Sequence, residues 1–312
     1  MTSTAHSPAS LVAALAEGVL VLDGGMSNQL EAAGYDLSDA LWSARLLADA
    51  PEAVSAVHRA YFAAGAQVAI TASYQASFTG YQRVGIGREQ AEGLLRRSVE
   101  LARTAAGGEP GRWVAASVGP YGAVLADGSE YRGRYGLSVA ELERFHRPRA
   151  EVLASAGPDL LALETVPDVD EAEALLRAVA GLDLPVWLSY SVAGGRSRAG
   201  QSLEQAFALA AGNDQVLAVG VNCCAPEEAA AAVELAAAVS GKPVVVYPNS
   251  GEGWDPQAGS WAGPPTFDPE RVGEWTRAGA RLVGGCCRVG AEQIAELAGT
   301  LAHSEAHSPP PT

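Results

Sequence analysis

Eight short apolar runs punctuate this sequence. They are VLVLDGG (19–25), QVAITASY (67–74), WVAASVGPYG (113–122), DLLALETVP (159–167), PVWLSYSV (185–192), VLAVGVNCC (216–224), PVVVYPNSGE (243–252) and ARLVGGCC (280–287). Each has a core of mostly Val, Leu, Ile or Ala without strict alternation, the pattern of strands buried on both faces of a parallel sheet. Between them lie segments of helical periodicity, among them 51–65, 88–106, 139–157, 170–181, 227–241 and 269–280. Several open with Pro, Asp or Glu and close with Gly, which are ordinary start and stop signals. Eight strands alternating with helices predict an α/β fold, a single-domain (β/α)8 TIM barrel. The alternative is an open doubly wound sheet, but no GxGxxG follows an early strand. A chain of 312 residues accommodates one barrel, expected over 13–302. Residues 1–12 read as a flexible N-terminus, and the Pro-rich 303–312 as a disordered tail.

A barrel concentrates function at the C-terminal ends of its strands. Here nearly every run ends in a polar or reactive group: Asp23, Thr71 to Tyr74, Ser117, Glu164, Ser189 with Tyr190, Asn222 with Cys223, Tyr247 with Asn249, and Cys286 with Cys287. Their convergence on one rim predicts a catalytic face, although polar residues also gather wherever chains surface. The net charge of -15 argues against nucleic acid, whose phosphates need basic patches, and against an anionic membrane surface. The start of the chain lacks a basic stretch, and the apolar Leu11–Leu22 is interrupted by Glu17 and Gly18. The expectation is a cytoplasmic protein whose thiols stay reduced.

The four cysteines fall as two adjacent pairs, Cys223-Cys224 and Cys286-Cys287. In a closed barrel strands six and eight are separated by one strand, so these pairs share a sector of the rim. Three thiolates there can meet one zinc ion and leave a fourth position open. Neighbours on a strand point to opposite faces, so one of Cys223 and Cys224 faces away. Cys286 and Cys287 both ligate only if the strand end, softened by Gly284 and Gly285, leaves the extended form. Buried apolar thiols or a redox pair are the other uses for such cysteines. A zinc ion with three thiolates suits binding an external thiol and lowering its pKa, which points to alkyl transfer onto sulfur.

The motifs DGGMSNQLE, ITASYQAS, SVGPYGAVLADGSEYRG, LLALETVP, GVNCC, VVYPNSGE and ARLVGGCCR together resemble the zinc-dependent homocysteine S-methyltransferases, over roughly Val19 to Leu301. YGAVLADGSEYRGRYG and YPNSGE are most similar to the short members that use S-methylmethionine or S-adenosylmethionine. The resemblance implies Cys223, Cys286 and Cys287 as catalytic zinc ligands, with Cys224 extra. It implies that Asp23 with Gly24 and Gly25, and Glu164, hold the homocysteine amino group. Thr71 and Ser73 join them as substrate-binding candidates. Asn222 is expected to orient the ligand loop. Gln29 stands where short members often carry Glu. With no cobalamin or folate domain expected after the barrel, a sulfonium donor is favoured, and betaine is the weaker choice.

A sulfonium is a cation, so aromatic faces are candidate donor contacts: Trp42, Tyr74 and Tyr121. Each reads equally as packing. His58 and His146 read as satisfied surface or core histidines rather than ligands. The turn-rich DGSEYRG (127–133) is a candidate lid over the strand-three rim. Partners reduce to homocysteine and the donor, with a monomer expected. A barrel aldolase or hydrolase with core cysteines, or a thiol redox or metal-storage protein, would also fit the bare residue pattern.

Overall fold

The computed structural model describes residues 8–38, 41–255 and 260–306. Eight strands form the barrel: β1 (Leu20–Val21), β2 (Val68–Ile70), β3 (Trp113–Val118), β4 (Leu160–Val166), β5 (Val186–Tyr190), β6 (Val216–Asn222), β7 (Val244–Tyr247) and β8 (Ala280–Val283). All pair in parallel, each with its sequence neighbours, and β1 pairs with β8. The ring closes between β1 and β2 through a bridge at Leu22 and Val68, with Gln67 N–H donating to Val21 O at 2.7 Å and Asp23 N–H to Val68 O at 3.1 Å.

Helices α1 (Pro8–Glu17), α2 (Met26–Ala32), α3 (Ser43–Asp49), α4 (Pro51–Ala63), α5 (Phe78–Arg83), α6 (Arg88–Ala106), α7 (Tyr121–Leu125) and α8 (Val139–Ser155) come before β4. After it come α9 (Val169–Val179), α10 (Leu203–Ala208), α11 (Pro226–Ser240), α12 (Val272–Ala278) and α13 (Ala291–Ala306). Local chemistry sets their ends. Pro51 and Pro226 open α4 and α11, where a missing N–H costs nothing. Ser138 and Glu141 form a capping box on α8. Gly107 and Gly241 end α6 and α11 in the left-handed conformation.

The strands bury both faces, as their unbroken apolar runs require. One face turns inward: Leu20, Leu22, Val68, Trp113, Ala115, Leu160, Ala162, Trp187, Ala218, Val245, Tyr247 and Leu282 fill the barrel. The other packs under the helices. Gly220 marks the tightest strand contact, since a Cβ there would lie 1.9 Å from Val245 O. Trp187 and Trp113 are the largest inward side chains, and burying one of that size stabilises the fold by about 3 kcal/mol.

The expected boundaries move at both ends. Residues 8–12 are not a flexible extension but the first half of α1. Its Leu11 and Leu15 join the cluster inside the barrel, and Trp113 Nε1 donates to Ser10 Oγ at 3.1 Å. The spacing of Leu11 and Leu15 puts both on one helix face, and that face stoppers the mouth where the strands begin. At the other end α13 continues through Ala306, past the expected limit at 302. The rest of the expected flexible ends, 1–7 and 307–312, lies outside the described residues. Among the described residues no helix is long and apolar enough to cross a membrane.

Candidate metal centre

The thiols of Cys223, Cys286 and Cys287 converge, their Sγ atoms all within 4.8 Å of one another. Two local breaks in regular structure bring them together. Cys223 directly follows β6 in the left-handed conformation (φ 50), which turns its side chain to the rim. Beyond Val283 the chain first keeps pairing with the segment after β7 and then turns at Cys287 and Arg288, where Val289 N–H donates to Cys286 O at 3.2 Å and Arg288 holds φ 63. Gly284 N–H donates to Val246 O at 3.0 Å, Gly285 N–H to Asp23 O at 3.2 Å and Cys286 N–H to Pro248 O at 2.7 Å. A Cβ on Gly284 would lie 2.7 Å from Leu22 Cβ, so this path requires glycine. The bend that two adjacent ligands demand is therefore present. Cys287 N–H donates to Asn249 Oδ1 at 3.2 Å, which fixes the second ligand. Cys224 points the other way, fully buried in the layer between strands and helices, and that burial pushes its thiol pKa up.

The donor set fits zinc. Tetrahedral Zn–S bonds of about 2.3 Å place sulfurs about 3.8 Å apart, and Cys223 Sγ and Cys287 Sγ stand 3.7 Å apart. Three soft sulfurs, one short of the four protein ligands of a structural site, match the ligand count of a catalytic centre. Cys223 is held well below the usual thiol range by hydrogen bonds from Cys286 and Cys287, helped by Tyr131 and the Arg198 charge.

A belt of hydrogen bonds lies around the thiols inside the barrel. Glu164 accepts from Ser117 Oγ, and from Tyr247 O–H at 2.9 Å. Burial raises its carboxyl to about 7 against those two bonds, with the Cys223 charge adding to the rise. Asn222 accepts from Thr165 N–H and Ser189 Oγ, each at 2.8 Å, and donates to Thr165 Oγ1 at 2.8 Å. It thus ties β4, β5 and β6 together one residue before Cys223. Asp23 accepts Ile70 N–H at 2.8 Å, while its other oxygen is buried without a partner. Burial, then the Glu164 charge, raises its carboxyl well above the ordinary range. Gly24 and Gly25 make the sharp turn beside it. A Cβ on Gly24 would lie 2.3 Å from Val289 O, and one on Gly25 2.7 Å from Cys286 O.

Other expected residues are engaged differently. Thr71 and Ser73 are buried at the β2 end, but their hydroxyls stitch β2 to β3. Thr71 Oγ1 accepts Ser117 N–H at 3.0 Å, and Ser73 Oγ donates to Ser117 O at 2.8 Å. Gln29 lies on α2 with its amide 3.1 Å from where a Gly290 Cβ would stand. Tyr74 reaches the centre: its ring covers Gly119, and the charges of Glu130, Cys223 and Glu164 add to burial in raising its hydroxyl. Tyr121 instead packs against Tyr135 and Phe145, with ring centroids 5.2 and 4.9 Å away. Trp42 is half-buried at the start of α3 with φ 45, and among the described contacts none carries it to the thiols.

His146 is a satisfied core histidine, between Glu171 Oε1 at 2.9 Å and Arg149 Nη2 at 2.7 Å. His58 is fully buried, yet neither ring nitrogen has a hydrogen-bond partner. It belongs to the core without being satisfied there, and neither histidine belongs to the metal cluster.

Two residues of the centre were not singled out by sequence reasoning. Tyr131 O–H lies 3.3 Å from Cys223 Sγ, with the Arg198 guanidinium 5.3 Å over its ring. Glu130 is buried beside it with one carboxylate oxygen unpartnered, its carboxyl raised to about 7 by burial and by the Cys223 charge. The available signal was the DGSEYRG stretch, read as a loop over the rim without naming its Glu-Tyr pair.

A (β/α)8 barrel whose C-terminal rim gathers three thiols and several buried carboxylates defines a thiol-liganded metalloenzyme class. Comparison with known proteins narrows it. The homocysteine S-methyltransferase family profile matches residues 20–301. Homocysteine S-methyltransferase 4 of Zea mays is 45% identical, covering 93% of this chain and 91% of its own. Homocysteine S-methyltransferase of Escherichia coli (strain K12) is 44% identical, covering 90% and 94%. The crystal structure of the homocysteine methyltransferase MmuM from Escherichia coli, metallated form, superposes with a TM-score of 0.81 at 43% identity, over 90% of this chain and 96% of that one. The chain belongs to the homocysteine S-methyltransferase family.

Proposed function

We propose that this protein forms methionine by moving a methyl group from a sulfonium donor, S-methylmethionine or S-adenosylmethionine, to the sulfur of homocysteine. The observation that carries this reading is the three-thiol cluster set beside buried carboxylates with free oxygens. Cys223, Cys286 and Cys287 would hold zinc. When bound, zinc supplies a fourth position that accepts the homocysteine sulfur as thiolate at neutral pH, so the chain needs no general base.

The protein's own groups then bind and align. The unpartnered oxygens of Asp23 and Glu130 offer acceptors for the substrate ammonium, and Glu164 adds a third carboxylate nearby. Tyr74 and Tyr131 offer ring faces to the donor cation, each contact worth about 0.5–2 kcal/mol. Holding thiolate, methyl carbon and leaving sulfur in line is the main catalytic contribution of the barrel. The bond from homocysteine sulfur to carbon forms as the bond from carbon to sulfonium sulfur breaks, and its electron pair stays on the leaving sulfur, neutralising it. With S-methylmethionine both products are methionine. A monomer in a reducing compartment such as the cytoplasm completes the reading, since such a compartment keeps thiols free for a metal.

The test runs homocysteine with S-methylmethionine, S-adenosylmethionine and betaine in parallel, alongside elemental analysis. Methionine from a sulfonium donor is expected, with about one zinc per chain that is lost in Cys286→Ser. No methionine from any donor with zinc-replete protein would overturn the reading.

A further inference from the structure

We propose that Asp168 and Glu171, two carboxylates outside the barrel, are positioning residues: they pin the two legs of the 121–134 segment and so set Glu130 and Tyr131 against the three thiols. Both belong to the first turn of α9, Asp168 as its N-cap and Glu171 three residues on. A Glu at that position commonly folds back onto the N-cap N–H. Glu171 instead accepts Tyr121 N–H at 2.6 Å, which fixes the first leg. Asp168 caps α9 with Oδ1, through Asp170 N–H at 3.1 Å, and accepts Arg134 N–H on Oδ2 at 3.0 Å, which fixes the second leg.

The constraint passes from the legs to the tip by direct contact. A Cβ on Gly122 would lie 2.4 Å from Glu130 N and 2.6 Å from Ser129 C, so α7 rests on the backbone of the tip itself. On the other leg a Cβ on Gly133 would lie 3.1 Å from Asp168 Cβ.

The clamp is itself held from behind. His146 faces Glu171 at 2.9 Å through Nε2 and Arg149 Nη2 at 2.7 Å through Nδ1. Arginine can only donate, so Nδ1 accepts and Nε2–H donates to Glu171. Arg149 also donates to Gly119 O, and to Ala76 O at 3.4 Å. Glu171, His146 and Arg149 are all buried, so the rotamer of Glu171 is locked. The group joins α8 to α9 and also reaches backbone carbonyls of the segments that follow β2 and β3.

Only the kinetic arm of the test rests on the methyl-transfer reading. The full-length, zinc-loaded protein is compared with Glu171→Ala, Asp168→Asn and Gly122→Ala. Asp168→Asn keeps a capping oxygen while turning an amide toward Arg134 N–H. Gly122→Ala pushes the tip without touching α9. Arg132 and Arg134 are exposed, so trypsin reads the order of the segment directly. Cleavage after these residues is expected to accelerate about tenfold, the change that about 1.4 kcal/mol of easier local opening produces. Zinc per chain should stay unchanged while kcat/KM falls about 10- to 100-fold. Glu171→Gln, which keeps an acceptor for Tyr121 N–H, should restore most of both.

Unchanged cleavage and kinetics in folded variants would overturn the proposal, as would zinc lost in step with activity. If Glu171→Ala does not fold, Asp168→Asn and Gly122→Ala decide. If the wild type methylates no homocysteine, the functional reading fails and the trypsin comparison still decides the clamp.

Discussion

Replacing Asn222 by alanine should loosen the metal centre through the backbone that precedes it. The side chain makes three buried hydrogen bonds, to Thr165 N–H, Thr165 Oγ1 and Ser189 Oγ, each at 2.8 Å. Ser189 keeps a second partner in Tyr247 O–H at 2.9 Å. The Thr165 N–H loses its acceptor, and an orphaned buried donor costs about 1–3 kcal/mol. Adding the vacated volume and the weakened Thr165 hydroxyl brings the expected loss to about 2–4 kcal/mol. For a chain of this length the unfolding entropy is roughly 0.7 kcal/mol per degree, so Tm should fall by about 3–6 °C.

The sharper effect falls on zinc. Cys223 holds φ 50, which a non-glycine residue keeps only when its surroundings over-determine it. Thr165, at the other end of these bonds, holds φ 58. Releasing one strained residue releases the other, and zinc affinity should drop about 10- to 100-fold. Competition with a chromophoric chelator measures this, and thermal unfolding with and without chelator separates it from loss of fold. If Asn222→Ala binds zinc as tightly as wild type while losing the expected stability, the link from the amide to the ligand is wrong.

Other substitutions test neighbouring arguments. Cys224→Ala should leave zinc per chain unchanged at a cost of about 1 kcal/mol in stability, since its buried thiol packs away from the centre; loss of zinc by elemental analysis would refute this. Glu164→Ala should raise the KM for homocysteine far more than it lowers zinc content, and equal losses would make Glu164 structural. His58 titrates at about 4 in the fold because burial disfavours its charged form, against about 6.5 unfolded. The unfolded chain therefore binds more protons below pH 6.5, and stability, complete above that pH, is lost as pH falls toward 4. Between pH 7 and pH 5 the loss is about 2 kcal/mol. His58→Leu should remove that part of the slope in urea titrations, and an unchanged slope would refute the assignment.

The barrel was legible because parallel strands announce themselves locally, as runs of β-branched and apolar residues ending in polar groups. The thiol cluster was legible for a related reason: adjacent cysteines at strand ends leave few geometries. Alternation alone said that one of Cys223 and Cys224 must turn away, and Cys224 does. Residues whose roles depend on distant partners were not legible. Thr71 and Ser73 have the right position, but only the fold shows their hydroxyls engaged with β3. Tyr121 and Tyr74 look alike in sequence and differ in what their rings meet. Tyr131 lies far beyond the end of β3, in a segment whose path depends on carboxylates of another βα unit. Residues 8–12, the first half of α1, read as a flexible end because the spacing of Leu11 and Leu15 names no partner, and only the fold shows both leucines inside the barrel.

That same α1 sets the two ends of the barrel apart. Leu11 and Leu15 join the cluster that fills its interior, while the three thiols stand at the opposite, C-terminal rim. Chemistry and closure are thus kept at opposite poles of one molecule, and a change at the α1 end can act on the sulfurs only through the packed barrel between them.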